Sequence, residues 1–171
     1  LRPTDADKAK KLADYRNFFK PEALKDADLA HGRAVFAKTC GQCHTLFDAG
    51  GKVGPDLTGS QRTNLDYVLE NVVDPNAAVA RDYQMSIIDT KDGRTLTGIV
   101  VAENGNAITV RTTNEDVTVP VNEIEKRRVS QVSMMPEGLL DAMSDDEAKD
   151  LIAYLGSAKQ VPLPAEAGTT R

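Results

Sequence analysis

The tightest constraint on this chain is five residues long. Cys40, Gly41, Gln42, Cys43 and His44 form a C-x-x-C-H string, the spacing associated with covalent haem attachment. Side chains three and four apart on a helical turn share a face. Cys40 and Cys43 can therefore offer both thiols to one edge of a porphyrin. His44 comes directly after, four residues from Cys40, and can bring a ring nitrogen under the iron. Two other uses of a cysteine pair compete with this one. A Cys/His zinc site would need all of the chain's Cys and His, namely Cys40, Cys43, His31 and His44, and His31 stands nine residues before Cys40, outside the usual ligand spacings. A redox dithiol belongs with a βαβ pattern, whereas a Gly-rich stretch follows here. The expected cofactor is one covalently bound haem c.

Bulk properties narrow the class further. The 171 residues suffice for one domain with extensions. Trp is absent and aromatic residues are only 5%, so the core must be largely aliphatic, and a haem would add a large apolar body to it. A net charge of −5 argues against general nucleic-acid binding. No apolar run is long enough to span a membrane. The chain starts at Leu1 with no visible signal peptide, which reads as a mature or excised piece. Bacteria attach haem c outside the cytoplasmic membrane, so the haem reading implies a periplasmic or otherwise exported location.

Helical signals flank the motif. Thr4 or Asp5 can cap a helix running to about Phe19. Leu12, Tyr15, Phe18 and Phe19 fall on one face as a docking stripe, and Pro21 breaks the run. A linker remnant remains the alternative for residues 1–25. Asp28 opens the next helix, with Leu29, Val35 and Phe36 as its apolar positions. Its interior Gly32 is costly for a helix and suggests that another backbone approaches there. Gly and Pro recur through residues 47–59, as in a loop wrapped over a flat ligand. A helix is expected over 64–74, with Leu65, Val68, Leu69, Val72 and Val73 inward and Pro75 ending it.

The character then changes. Residues 84–90 and 94–102 are rich in β-branched side chains around an Asp-Gly turn at 92–93. An Asn-Gly turn at 104–105 leads to strands at 108–112 and 117–119. Residues 121–125 suggest a short turn, and 127–132 a further strand. Together they predict an antiparallel meander of four or five strands. Ser144 and Glu147 form a capping box for a last helix ending near Gly156. Its Leu151, Ile152, Tyr154 and Leu155 form the apolar face, and Tyr154 is the candidate to cross at Gly32.

Residues 32–36, the 40–44 string, Gly54-Pro55-Asp56-Leu57 and Met135-Pro136 stand in the order seen in c-type cytochromes, which the chain resembles over about residues 26–157. The β-rich insert is similar to that of the planctomycete-type haem-binding domain, often the C-terminal part of larger proteins. The resemblance implies a mainly α cytochrome c fold with an inserted small antiparallel β-sheet (α+β). Residues 26–158 would be the domain, with the insert at about 83–132, residues 1–25 a helical extension or linker, and 159–171 a flexible tail. It implies thioethers at Cys40 and Cys43, His44 as proximal ligand with its other ring N–H on the Pro55 carbonyl, and Met135 as distal ligand. Met134 is the alternative; Pro136 biases Met135 toward an extended backbone. Met85 and Met143 read as packing residues, and His31 as a surface residue rather than a ligand.

The implied activity is single-haem electron transfer between redox proteins, or as a domain of a larger oxidoreductase, with a fused or docked dehydrogenase among the partners. An open distal site, for sensing or peroxidatic chemistry, is the rival. Arg33, Lys38, Lys52 and Arg62 cluster in sequence around the expected haem edge. They could steer an acidic partner, and Arg62 could pair with a haem propionate.

Overall fold

The structure, a computed structural model, describes residues 5–165; Thr4 and residues 166–171 of the tail lie outside them. In chain order come α1 (Asp5–Phe18), α2 (Pro21–Leu24), α3 (Leu29–Thr39), the strand pair β1 (Thr45–Leu46) and β2 (Ala49–Gly50), and α4 (Leu65–Val73). A second sheet follows: β3 (Met85–Thr90), β4 (Thr95–Glu103), β5 (Ala107–Arg111), β6 (Asp116–Pro120) and β7 (Ile124–Val129). Helix α5 (Asp145–Leu155) closes the order. The chain is therefore a mixed α+β protein.

Caps decide where the helices begin. The Asp28 carboxylate accepts from the backbone N–H of Ala30 at 2.9 Å and of His31 at 3.0 Å. Asn64 caps α4 through Tyr67 N–H. Ser144 and Glu147 make a reciprocal capping box on α5. The helical core gathers Val35 and Phe36 of α3, Val68 and Leu69 of α4, and Leu151, Ile152 and Tyr154 of α5. Residues 1–25, where a linker was one alternative, join this core: Phe19 is buried, and Leu12, Tyr15 and Phe18 pack against it. Leu29, the first helical residue of α3, is 37% exposed, unlike the apolar positions Val35 and Phe36.

Helices α3 and α5 cross at Gly32. A Cβ there would stand 2.1 Å from the Asp150 carbonyl oxygen and 2.8 Å from Tyr154 Cβ. The missing side chain lets the two backbones touch, and Phe36 meets Tyr154 edge-on with ring centroids 5.7 Å apart.

The same crossing holds a titratable pair. Asp150, buried on α5, accepts from Asp28 N–H at 2.8 Å and lies 2.7 Å from His31 Nδ1. His31 is thus half-buried and paired rather than a free surface residue. Its hydrogen bond to Asp150 raises its pKa; partial burial opposes this, and the charges of Asp150, Asp28 and Glu147 add to the rise. A raised pKa means that the pair's stabilisation is complete below the ordinary value of 6.5 and is lost as pH climbs through the folded value. Thermal midpoints should therefore fall across that interval in the wild type. His31→Gln should flatten the fall; an unaltered pH profile would rule out the pair as its source.

The larger sheet has the order β6-β5-β4-β3-β7, all antiparallel. Strands β3 to β6 form the expected meander. Strand β7 departs from it: it returns across the sheet and pairs with the free edge of β3, Ile88 opposite Arg127. A meander continued in sequence order would have put β7 beside β6. Pairing with β3 instead places Ile124 against the sheet's own small core of Ile88, Ile108, Val110 and Val119. That core is separate from the helical one. Across the gap, Arg111 on β5 donates to the Lys52 carbonyl at 3.3 Å while paired with Asp116.

The expected flexible tail is fastened in part. Gln160 accepts from Tyr154 Oη at 2.8 Å and from Val161 N–H at 3.1 Å, and the Val161 carbonyl accepts from Arg33.

Candidate functional site

Helix α3 delivers the motif. Cys40 is its C-cap, with its N–H on the Phe36 carbonyl. The next residues continue as a tight turn, Cys43 N–H and His44 N–H both donating to the Cys40 carbonyl at 3.1 and 2.9 Å. Both cysteines are free thiols and half-buried. Burial, with the neighbouring Cys43 as a lesser cause, pushes the Cys40 thiol up to about 12. At neutral pH Cys40 is therefore a protonated thiol rather than a reactive thiolate.

After His44 the chain doubles back. The β1–β2 hairpin turns through Phe47 and Asp48, both at positive φ. Three backbone bonds then lay residues 51–57 against the motif: Gly51 N–H to the Gly41 carbonyl, Gly54 N–H to Cys43, and Leu57 N–H to Thr45, at 2.7 to 2.8 Å. Thr45 Oγ1 adds a bond to the Gly51 carbonyl at 2.8 Å.

This return fixes the imidazole of His44. Its Nδ1 lies 2.8 Å from the Pro55 carbonyl oxygen. A carbonyl only accepts, so Nδ1 carries a proton and donates it there, which leaves Nε2 as the ring's ligating atom. Gly54 lies directly against the ring: a Cβ there would come within 2.5 Å of Cε1, 2.8 Å of Nδ1 and 3.0 Å of Nε2. The site thus holds an imidazole fixed at Nδ1 and immobilised from two sides, beside two thiols on one turn. This donor set and geometry fit a haem tethered through Cys40 and Cys43, with Nε2 directed to iron.

The remaining sequence-predicted residues are placed as follows. Arg62 reaches away from the motif: its guanidinium donates to the carbonyls of Leu155 at 2.6 Å and Ser157 at 2.9 Å, and to Thr58 at 3.2 Å, with the Phe47 ring 4.8 Å away. It ties the end of α5 to the haem loop, a structural duty the sequence reading did not anticipate. Arg33 is likewise engaged with Val161. Lys38 and Lys52 are exposed. Met134 and Met135 are half-buried in a loop anchored by Asn76, just past α4: Ser133 N–H donates to Asn76 Oδ1 at 2.7 Å, Asn76 Nδ2 donates to Glu137 at 2.7 Å, and Met135 N–H donates to Ser133 Oγ at 3.1 Å. Asn76 was missed because a lone Asn after a helix signals a turn and nothing more. Gly54 had a signal in its Gly-Pro context, but only the folded loop shows that its missing side chain is filled by His44.

Residues 27–88 match the family model described as Cytochrome C oxidase, cbb3-type, subunit III. The matched stretch runs from the cap of α3 through the motif, the return loop and α4 into β3. A comparison with curated proteins returns no match. No helix among the described residues is long and apolar enough to cross a membrane. The matched family and the geometry of the 40–55 segment together support a c-type cytochrome domain, with haem-based electron transfer as its general role.

Proposed function

We propose that this chain is a single-haem electron carrier, or the carrier domain of a larger oxidoreductase, of the planctomycete-type haem-binding kind. His44 Nε2 and the Met135 sulfur are its axial ligands, and Cys40 and Cys43 its thioether anchors. The observation that carries the reading is the His44 ring, held by Pro55 and bedded on Gly54 beside two free thiols on one turn. When bound, haem supplies the one-electron chemistry of its iron. The protein's part is to hold the imidazole in one tautomer, to bury the site, and to offer a thioether that favours the reduced state and so raises the potential. The β-rich insert between loop and Met135 supports the subgroup, and covalent attachment supports an exported, periplasmic setting. Redox proteins are the partners on this reading, a fused or docked dehydrogenase among them.

The deciding experiment is a pyridine haemochrome spectrum with intact mass, after expression with haem-ligation machinery. One haem bonded through both thiols is expected; colourless protein, or a single thioether, would overturn the reading. A high-spin ferric spectrum without a thioether–iron charge-transfer band would favour the open-site rival.

With Arg33 and Arg62 engaged elsewhere, Lys38 and Lys52 are the remaining steering charges of the four. Reversing both to Glu should slow reduction by an anionic donor by about tenfold at low ionic strength, an effect that fades with added salt. Equal rates at low salt would remove these lysines from the docking face.

A further inference from the structure

Helix α1 lies outside the segment that matches the family model, yet three of its polar side chains reach the stretch just after Met135. Lys8 Nζ is paired with Asp74 and, at 3.4 Å, with Glu137. Lys11 is paired with Asp141. Tyr15 Oη donates to the other oxygen of Asp141 at 2.6 Å. Glu137 and Asp141 bracket the left-handed turn at Gly138, where φ is +79°. Asn76 donates to the same Glu137 oxygen that faces Lys8 and accepts from Ser133 N–H. The loop bearing Met134 and Met135 is thus tied both to α1 and to the residues after α4.

We propose that α1 is a strap that holds the 133–141 loop closed, with Lys8, Lys11 and Tyr15 as positioning residues for Met135. The inference rests on Met135 as the distal ligand and adds what keeps it there. None of the helix's own residues is fully buried, and the Lys11–Asp141 side chains are 43% and 42% exposed. Exposed ion pairs are individually weak and are screened by salt. Three contacts aimed at one short segment act together, the Lys11–Asp141 pair open to competition and the Lys8–Glu137 pair more shielded. The helix stays docked through Leu12, Tyr15 and Phe18 against the helical core, so what lets go is the polar contacts and the loop they hold. Release of the loop exposes the sixth coordination position to an outside ligand, so a partner or salt that breaks these contacts changes what the iron can bind.

The test uses haem-loaded protein and imidazole as the probe ligand. Apparent affinity scales with the fraction of molecules whose site is open. The triple variant Lys8→Ala, Lys11→Ala, Tyr15→Phe should bind imidazole to ferric protein about tenfold more tightly than wild type. Amide hydrogen exchange over residues 133–141 should quicken by a similar factor. Tyr15→Phe, which removes only the hydroxyl, should give a smaller rise and decides the matter if the triple variant does not fold. Lys10→Ala, whose partner is Asp14 on the same helix, should behave as wild type. Added salt should raise imidazole affinity in wild type and leave the triple variant unmoved. Met135→Ala separates the two ideas. If it retains the wild-type thioether–iron band, Met135 ligation fails and the strap fails with it. If it loses the band while both strap variants bind imidazole and exchange like wild type, ligation stands and the strap is overturned.

Discussion

Gly32→Ala is expected to lower the thermal midpoint clearly, because the added methyl meets the backbone of α5. The new Cβ would stand 2.1 Å from the Asp150 oxygen, 2.6 Å from its carbonyl carbon and 2.8 Å from Tyr154 Cβ. Two of those atoms are backbone, so no rotamer change relieves the clash and α5 must move as a body. Moving it opens the Phe36–Tyr154 contact and strains the Asp28 and His31 bonds to Asp150. Overpacking of this kind costs about 1–3 kcal/mol and occasionally more. Ala is the better helix former by roughly 1 kcal/mol, which offsets part of the loss without reversing it. A net loss of up to about 2 kcal/mol corresponds to a midpoint lower by up to roughly 8 °C for a chain of this size. Gly59→Ala is the control, because a Cβ there meets nothing within 4 Å. Calorimetry showing the same midpoint for both variants would mean that the helices do not cross as described.

Gly54→Ala should act on the site and spare the fold. Its methyl would collide with three atoms of the His44 ring, and the ring, being half-buried, can swing aside at little cost to the rest of the protein. Swinging draws Nδ1 off the Pro55 carbonyl and turns Nε2 away from where it now points. Loss of an outer partner of a ligating histidine typically weakens metal binding by about 10–100-fold. With haem bonded through both thiols as proposed, the pigment would stay attached while the low-spin spectrum falls and five-coordinate iron appears. Exogenous imidazole should restore the low-spin form. Wild-type absorption in Gly54→Ala would mean that the glycine is a turn residue and not the bed of the ring. The two glycines therefore separate stability from ligation, one variant for each.

Much of this was legible before any coordinates. The C-x-x-C-H string, the interior glycine at 32, the Ser144 cap and the Asp-Gly and Asn-Gly turns are local signals, and each marks a feature within a few residues of itself. The strands they imply appear with ends shifted by one to three residues. What was not legible involves partners distant in sequence. Nothing in residues 124–129 states that they pair with β3 rather than β6; the choice depends on which free edge lets Ile124 join the sheet's core. The bonds of Arg62 to the last carbonyls of α5 were also not legible, since a guanidinium carries no mark of which distant carbonyls it will meet. Lys8, Lys11 and Tyr15 read as part of one more amphipathic helix, because a hydrogen bond formed across 126 residues or an ion pair across 130 leaves no spacing to detect.

The sequence alone determined the chemistry on offer: two thiols and an imidazole at a spacing that only one turn of chain can satisfy, and a glycine where two helices must touch. Tertiary structure decided how that chemistry is held: the return loop that closes on His44, the pairing of β7, and the contacts that α1 makes with Glu137 and Asp141. The division has a physical cause. Covalent spacing and backbone propensity are properties of neighbouring residues, whereas a hydrogen bond between distant groups forms only after the core has brought them together.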